Sequence, residues 1–168
     1  MPTTDELVSE LASGRPVKCL APWVPHWHSS PVASSPLIMA VIIRFTTGKF
    51  DVSRERRNPI NPIHGESLLH WLRQALEPDL WIGGPEPEDW GWLATLTWEE
   101  RRFMLGSSAT DEPGAAREWV LQIVPVRSLT DRLFRRGQVT ADHPLVLRLV
   151  SLLSHEAAFV GVSVEGEA

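Results

Sequence analysis

"WGWLATLTW" (residues 90–98) is the stretch of this sequence that decides the fold. Tryptophan, alanine and leucine stand at every second position, and glycine, leucine and threonine stand between them. Such alternation is typical of a strand with one buried face. The pattern therefore predicts a strand with one core-facing row, made of Trp90, Trp92, Ala94, Leu96 and Trp98. On the opposite face, Gly91 would let another group approach the backbone closely.

Four further stretches have the composition of strands, because they are rich in β-branched and apolar residues. They are "LIMAVIIRF" (37–45), "RRFMLGSS" (101–108), "EWVLQIVPV" (118–126) and "AFVGVSVE" (158–165). Glu99 and Glu100 connect the tryptophan strand to the next one, which predicts a hairpin with a very short turn. In the last strand we expect Val160, Val162 and Val164 to share one face.

Three stretches have the periodicity of amphipathic helices. They are "ESLLHWLRQAL" (66–76), "SLTDRLFRR" (128–136) and "HPLVLRLVSLLSHE" (143–156). The apolar stripe of the first helix consists of Leu68, Leu69, Leu72, Ala75 and Leu76. Ser128 and Asp142 are suited to cap the second and third helices, and Gly137 would end the second.

Together these elements predict an α+β protein with the order β-α-β-β-β-α-α-β. Consecutive strands between groups of helices indicate a largely antiparallel sheet of about five strands, with about three helices mainly on one face. A further short strand is expected near residues 80–82. Residues 1–36 differ from the rest, because their prolines favour extended or turn conformations. We predict a proline-rich arm over residues 1–36, with a short helix from Thr3 to Gly14, and a single α+β domain over residues 37–168.

Composition narrows the class of protein. A chain of 168 residues with 43% hydrophobic content is ordinary for a globular domain. The formal charge of −5 repels phosphate, so nucleic acid is not an expected partner. Cys19 is the only cysteine, so no intrachain disulfide can form. The longest apolar run (37–43) is too short to span a bilayer, and the first residues are acidic, unlike a secretory signal. We expect a cytoplasmic protein that binds no membrane.

The spacings that common catalytic and metal motifs require are missing. "HGE" (64–66) has the His-x-Glu form of zinc deaminases but lacks the downstream pair of cysteines. "HWH" (26–28) lies in the proline-rich arm and supplies fewer ligands than a zinc site needs. Metalloprotease, serine-hydrolase, phosphate-loop and dinucleotide motifs are also absent from the sequence. The sequence therefore predicts no catalytic residues, no metal site and no cofactor.

Three carboxylates precede the tryptophan strand, in "PEPED" (85–89). The two prolines favour an extended backbone, so we expect Glu86, Glu88 and Asp89 on an exposed loop. A solvated loop without function is the simpler interpretation. The functional alternative is that the three residues form an acidic lip that binds a cationic partner.

"RRNPINPIHGES" (56–67) is the other unusual stretch. Asn61 followed by Pro62 has the form of a helix N-cap with proline at the first helical position, which would explain it structurally. The functional alternative is a pocket, for an enzyme or a small-molecule-binding protein, built from Asn58, His64, Glu66 and Arg127.

Residues 38–164, with "NPINPIHGESLLHWL", "PEPEDWGW" and "EWVLQIVPVRSL", resemble an uncharacterised family of small bacterial α+β proteins. The layout is also similar to that of bacterial toxin-immunity proteins, many of which are small, acidic and without catalytic motifs. The resemblance implies a non-catalytic module whose partner is another protein. Eight tryptophans and the net negative charge agree with this function, since tryptophan is a common interface anchor. We expect Glu86, Glu88 and Asp89 at the contact.

Overall fold

An antiparallel sheet with helices on one side forms the structure, a computed structural model that describes residues 40–111, 114–127 and 138–165. Seven strands and two α-helices are present in these residues. The α+β class and the antiparallel sheet are therefore confirmed. The arm predicted for residues 1–36 and the helix predicted for residues 128–136 lie outside the described residues.

The strands, numbered along the chain, are β1 (Val41–Thr47), β2 (Trp81–Ile82), β3 (Glu86–Glu88), β4 (Gly91–Trp98), β5 (Arg101–Ala109), β6 (Arg117–Pro125) and β7 (Phe159–Glu165). The helices are α1 (Glu66–Leu76) and α2 (Pro144–His155), and a 3-10 turn covers Val52–Arg54. The order in the sheet is β2-β4-β5-β6-β1-β7, with β3 also paired to β4. At one edge of the sheet, β2 and β3 therefore follow one another along β4.

The sheet has more strands than the sequence predicts because two short segments before β4 both pair with it, and the second of them contains Glu86 and Glu88. β2 confirms the short strand expected near residues 80–82. β3 lies where an exposed loop is predicted. These residues form a strand because they pair with the first residues of β4. The prolines are tolerated because the strand lies at an edge of the sheet.

The predicted hairpin between β4 and β5 is confirmed. Trp98 pairs with Arg101, so Glu99 and Glu100 form a two-residue turn. Their φ angles are 45° and 63°. Positive φ at both central residues is the requirement of the type I′ turn, which is common in two-residue hairpins because its twist matches that of the flanking strands.

Both helices pack on one face of the sheet, called here the covered face. The sheet contributes one alternating row from each central strand, including Ile43, Leu105 and Leu121, and the helices contribute the leucines of their stripes. Burying one such side chain stabilises the fold by about 1.5–3 kcal/mol. The stripe predicted for α1 is correct for its four leucines and wrong for Ala75, which is exposed at the margin of the helix.

The buried row of β4 begins at Trp92, two residues later than the sequence predicts. The row on the covered face consists of buried Trp92, Ala94 and Leu96, with Trp98 partly buried. Trp90 is 38% exposed, so its prediction as a core residue is wrong. Gly91 has a φ of 146°, a conformation that favours glycine and that interrupts the regular pleat. Trp90 therefore belongs to the preceding turn, and strand alternation does not determine its direction.

A β-bulge changes the direction of side chains in β7. The register with β1 shifts between Arg44 and Thr46. Val162 and Val164 pack against the core, whereas Val160 is 66% exposed. One extra residue reverses the alternation, so the shared face predicted for the three valines is wrong for Val160.

The sequence predicts Asp142 as the N-cap of α2, but the N-cap is His143. The backbone N–H of Leu145 donates to Nδ1 of His143 at 3.2 Å. Partial burial lowers the pKa of His143 below its ordinary value, and the positive charge of Arg101 lowers it further. The cap needs the neutral imidazole, because only that form has a lone pair to accept the hydrogen bond.

Candidate functional site

The face of the sheet opposite the helices, called here the outer face, carries the candidate site. Its central strands present a row of apolar side chains that are only partly buried: Ile42, Leu93, Met104, Val120 and Val124. Neither described helix packs on this face. Thr95, Ser108 and Gln122 stand among these apolar side chains, so the outer face is mixed in character, whereas the solvated face of an antiparallel sheet is commonly polar throughout.

One edge of the outer face is formed by "WIGGPEPEDW", residues 81–90, which we call the edge segment. It contains β2, β3 and the turn that leads into β4. Pro85 and Pro87 have no backbone N–H, so this edge is poorly suited to pairing with a further strand. Recognition at the edge segment would therefore depend on its side chains.

The acidic side chains of the edge segment lie beside the outer face. Glu86 pairs with Leu93, and Glu88 pairs with Gly91. Directly paired residues share a face, and Leu93 projects outward because its neighbours in β4 are buried. Glu86 and Glu88 therefore project outward as well, and Asp89 follows them in an exposed turn.

Among the described residues, no cationic side chain forms an ion pair with the three carboxylates of the edge segment. Several carboxylates elsewhere in the described chain form ion pairs, although Glu99 and Glu100 do not. Glu66 pairs with Arg56 at 2.9 Å, and Glu118 and Glu165 both pair with Arg44. Glu86 and Asp89 are exposed, and Glu88 is half-buried.

Two tryptophans bracket these carboxylates. Trp81 is 63% exposed and Trp90 is 38% exposed. The ring of Trp90 lies against Gly106 of β5, where an added Cβ would stand 2.6 Å from its Cη2 atom. Only glycine leaves room for the ring in this position. Gly91 follows Trp90 in the chain, and Gly106 lies under its ring. These two glycines were the sequence signals that could have located Trp90 on the outer face.

Two asparagines hold the turn of the edge segment. Nδ2 of buried Asn58 donates to the carbonyls of Glu88 and Gly91 at 2.9 and 2.7 Å. Nδ2 of Asn61 donates to the carbonyl of Asp89 at 2.9 Å. The N-cap role predicted for Asn61 is wrong, because α1 begins further along the chain. Instead, both asparagines stabilise the turn between the acidic residues and Trp90.

The start of α1 is capped by a residue from a distant loop. The side chain of Glu55 is 1% exposed and accepts from the backbone N–H of Gly65 at 3.0 Å and of Ser67 at 2.9 Å. Nδ1 of His64 lies 3.3 Å from the same carboxylate. A carboxylate is favoured here because the first N–H groups of a helix lack partners and carry positive partial charge.

Glu66 completes this polar cluster. Its carboxylate accepts from the backbone N–H and the Nε of Arg56 at 3.0 and 3.1 Å. The guanidinium of Arg56 also lies over the ring of Trp92, with its carbon 4.8 Å from the ring centroid. The ring N–H of Trp92 donates to the carbonyl of Ile63 at 3.1 Å. The cluster therefore connects α1, the asparagine loop and the core.

The residues predicted for a pocket are brought together only in part. His64 and Glu66 lie at the start of α1, and Asn58 lies at the turn of the edge segment. Arg127 follows Val126, whose backbone N–H donates to the carbonyl of Arg102. His64, in contrast, forms an isolated β-bridge with Ala109. Arg102 and Ala109 are seven positions apart on β5, or about 23 Å at about 3.3 Å per residue. Arg127 thus lies at the other end of the sheet.

No group of three potential metal ligands gathers among the described residues, and no described helix has the length and apolar character needed to cross a bilayer. No family model matches the chain, and no curated protein or solved structure is significantly similar to it. The resemblance to small bacterial proteins and the cytoplasmic location stay predictions.

Proposed function

We propose that the protein is a non-catalytic protein-interaction module, of the kind that toxin-immunity proteins represent, and that it binds another protein through the edge segment and the outer face. The observation that carries the proposal is the composition of the edge segment. Two exposed tryptophans bracket three carboxylates that have no cationic partner among the described residues.

The two kinds of side chain would have different roles. Tryptophans are frequent hot spots because a large rigid ring is desolvated with little loss of conformational freedom. Carboxylates contribute less to affinity than to the rate and specificity of association, because their field steers a basic partner. Trp81 and Trp90 would anchor the partner, and Glu86, Glu88 and Asp89 would orient it.

The local structure supports a preformed surface. Asn58 and Asn61 hold the turn through hydrogen bonds to three backbone carbonyls, and Gly106 provides the seat of Trp90. A surface that is ordered before binding loses less entropy when the partner arrives. The alternative pocket stays a prediction that no observation favours, since Asn58 and Glu66 already use their polar atoms within the protein.

Capture of a partner from the native host, followed by mass spectrometry, tests the proposal. The full chain would be compared with Trp81→Ala/Trp90→Ala and with Glu86→Gln/Glu88→Gln/Asp89→Asn. We expect each variant to retain its fold by circular dichroism. The tryptophan variant should capture at least about tenfold less of the partner, since the loss of a hot spot costs about 1.4 kcal/mol or more, and the carboxylate variant should capture about two- to fivefold less.

The matched control is Glu99→Gln/Glu100→Gln, which removes charge at the far end of the β4–β5 hairpin. This control should capture the partner as well as the unmodified chain does. The proposal is refuted if both variants retain the partner as well as the unmodified chain does, or if the unmodified chain retains no protein at all.

A further inference from the structure

The outer face contains a small groove beside the edge segment. Its volume is about 210 Å³, and Glu88, Trp90, Leu93, Met104 and Val124 line it over Gly106. The register places Met104 and Val124 opposite one another on neighbouring strands, and Leu93 opposite Gly106. Gln122 also lines the groove, which therefore has aliphatic walls, one aromatic ring, one carboxylate and one amide.

The size of the groove limits what can occupy it. Sites for drug-sized ligands measure roughly 300–1,000 Å³, whereas this groove measures about 210 Å³. A single long side chain is the occupant that matches this space. Leu93, Met104 and Val124 would cover the methylene stem of such a side chain, as apolar surfaces commonly do for lysine and arginine.

The described chain itself places cations between tryptophan rings and carboxylates in three places. Lys49 lies over Trp71 at 5.7 Å from the ring centroid and pairs with Glu156 at 3.2 Å. Arg148 lies over Trp98 at 5.7 Å and pairs with Asp79.

The third case is the pair formed by Arg56 with Trp92, at 4.8 Å, and with Glu66. In each case the ring attracts the cation through its quadrupole, and the carboxylate attracts it through its charge.

Trp90 and Glu88 form a fourth combination of ring and carboxylate, because both line the same groove. Among the described residues no cation lies over Trp90 or pairs with Glu88. Building on the proposed function, we propose that this groove receives one lysine or arginine side chain of the partner protein. The stem lies on the aliphatic wall, and the cationic head lies between Trp90 and Glu88.

A larger depression, of about 440 Å³, lies next to Trp81 and is lined by Glu77, Pro78 and Leu80. It also combines a tryptophan with a carboxylate. However, Glu77 already lies 3.9 Å from the guanidinium of Arg73. A cation from a partner would have to compete with this arginine, so the groove at Trp90 is the better receptor.

Titration of the full chain with short capped peptides tests the inference. Each peptide carries one central residue between leucines: arginine, lysine, or the neutral analogues citrulline and norleucine. The readout is the ¹H–¹⁵N signal of the Trp90 indole, assigned by its loss in Trp90→Phe. We expect the cationic peptides to move this signal at millimolar concentration and to bind about five- to tenfold more tightly than their neutral analogues.

The groove variants sharpen the result. Glu88→Gln should remove most of the preference for cationic peptides, and so should about 1 M salt, where the Debye length is about 3 Å. Gly106→Ala should displace the Trp90 ring and weaken binding. The matched control is Gly84→Ala, because no atom lies within 4 Å of the added Cβ.

Two results would overturn the inference: neutral peptides that bind as tightly as cationic ones, or no movement of the Trp90 signal with any peptide. The proposed function has a separate failure. Partner capture that is lost in Trp81→Ala/Trp90→Ala but unaffected by Glu88→Gln would leave the interaction module in place and exclude the cation receptor. A comparison of the arginine and lysine peptides identifies which cation the groove prefers.

Discussion

Trp92 and Trp90 are two positions apart in the chain, yet they lie on opposite faces of the sheet. Trp92 is fully buried, and its ring N–H donates to Ile63. Trp90 is partly exposed on the outer face, where it lines a groove. Trp92 and Glu66 form hydrogen bonds within the protein, whereas Trp90 and Glu88 have no cationic partner among the described residues. Changes to the first face should reduce stability, and changes to the second should reduce binding.

Replacement of the two tryptophans is the sharpest way to test this difference. Trp92→Ala removes a fully buried ring and should lower the free energy of unfolding by about 3–5 kcal/mol. Trp90→Ala removes a ring that is 38% exposed and should lower it by less, by about 1–2 kcal/mol. Urea unfolding followed by circular dichroism measures both. Equal losses would show that Trp90 is a structural residue, and the two faces would then differ less than we infer.

The carboxylates provide a second, smaller comparison. Glu55→Gln keeps the shape of the side chain but loses the charge that accepts from Gly65 and Ser67, so unfolding should become easier by about 1–3 kcal/mol. Glu86→Gln/Glu88→Gln should change stability by less than about 0.5 kcal/mol. The same unfolding experiment applies. A large loss in the edge variant would mean that its carboxylates have structural partners.

The smallest expected effect is the dependence of stability on pH at His143. Its folded pKa lies below the ordinary value of 6.5, so the unfolded chain binds the proton more tightly. The stability that the neutral cap provides is therefore complete above pH 6.5 and is lost as the pH falls from there through the folded pKa.

His143→Asn keeps a capping acceptor without titration, so thermal unfolding across this pH range should show a smaller dependence in the variant. Glu86→Gln/Glu88→Gln should retain the dependence of the unmodified chain. If His143→Asn has the full pH dependence, the cap is not its source.

Local patterns were sufficient for the elements whose determinants lie within a few residues. The helix predicted over residues 66–76 has the observed bounds of α1, because four leucines at helical spacing and the nearby Pro78 define it. The short connection at Glu99 and Glu100 was sufficient to predict the hairpin. These features depend on backbone geometry and burial within one segment, which a linear sequence displays directly.

Contacts between distant segments account for the predictions that were wrong or incomplete. The cap of α1 comes from Glu55 and not from Asn61, because the fold brings a separate loop to the helix. Asn58 supports the edge segment through carbonyls about thirty positions away, as its bonds to Glu88 and Gly91 show. A hydrogen bond of this kind leaves no periodic signal in the sequence.

The sequence by itself determined the α+β class, the antiparallel hairpin and the covered faces of β4 and α1, since the spacing of apolar residues specifies which side is buried. Only the tertiary structure decided the face of Trp90, because that depends on the space above Gly106 in a neighbouring strand. The tertiary structure also decided which carboxylates form ion pairs with arginine or lysine side chains. Pairing between side chains far apart in the chain requires the fold to bring them within a few ångströms of each other.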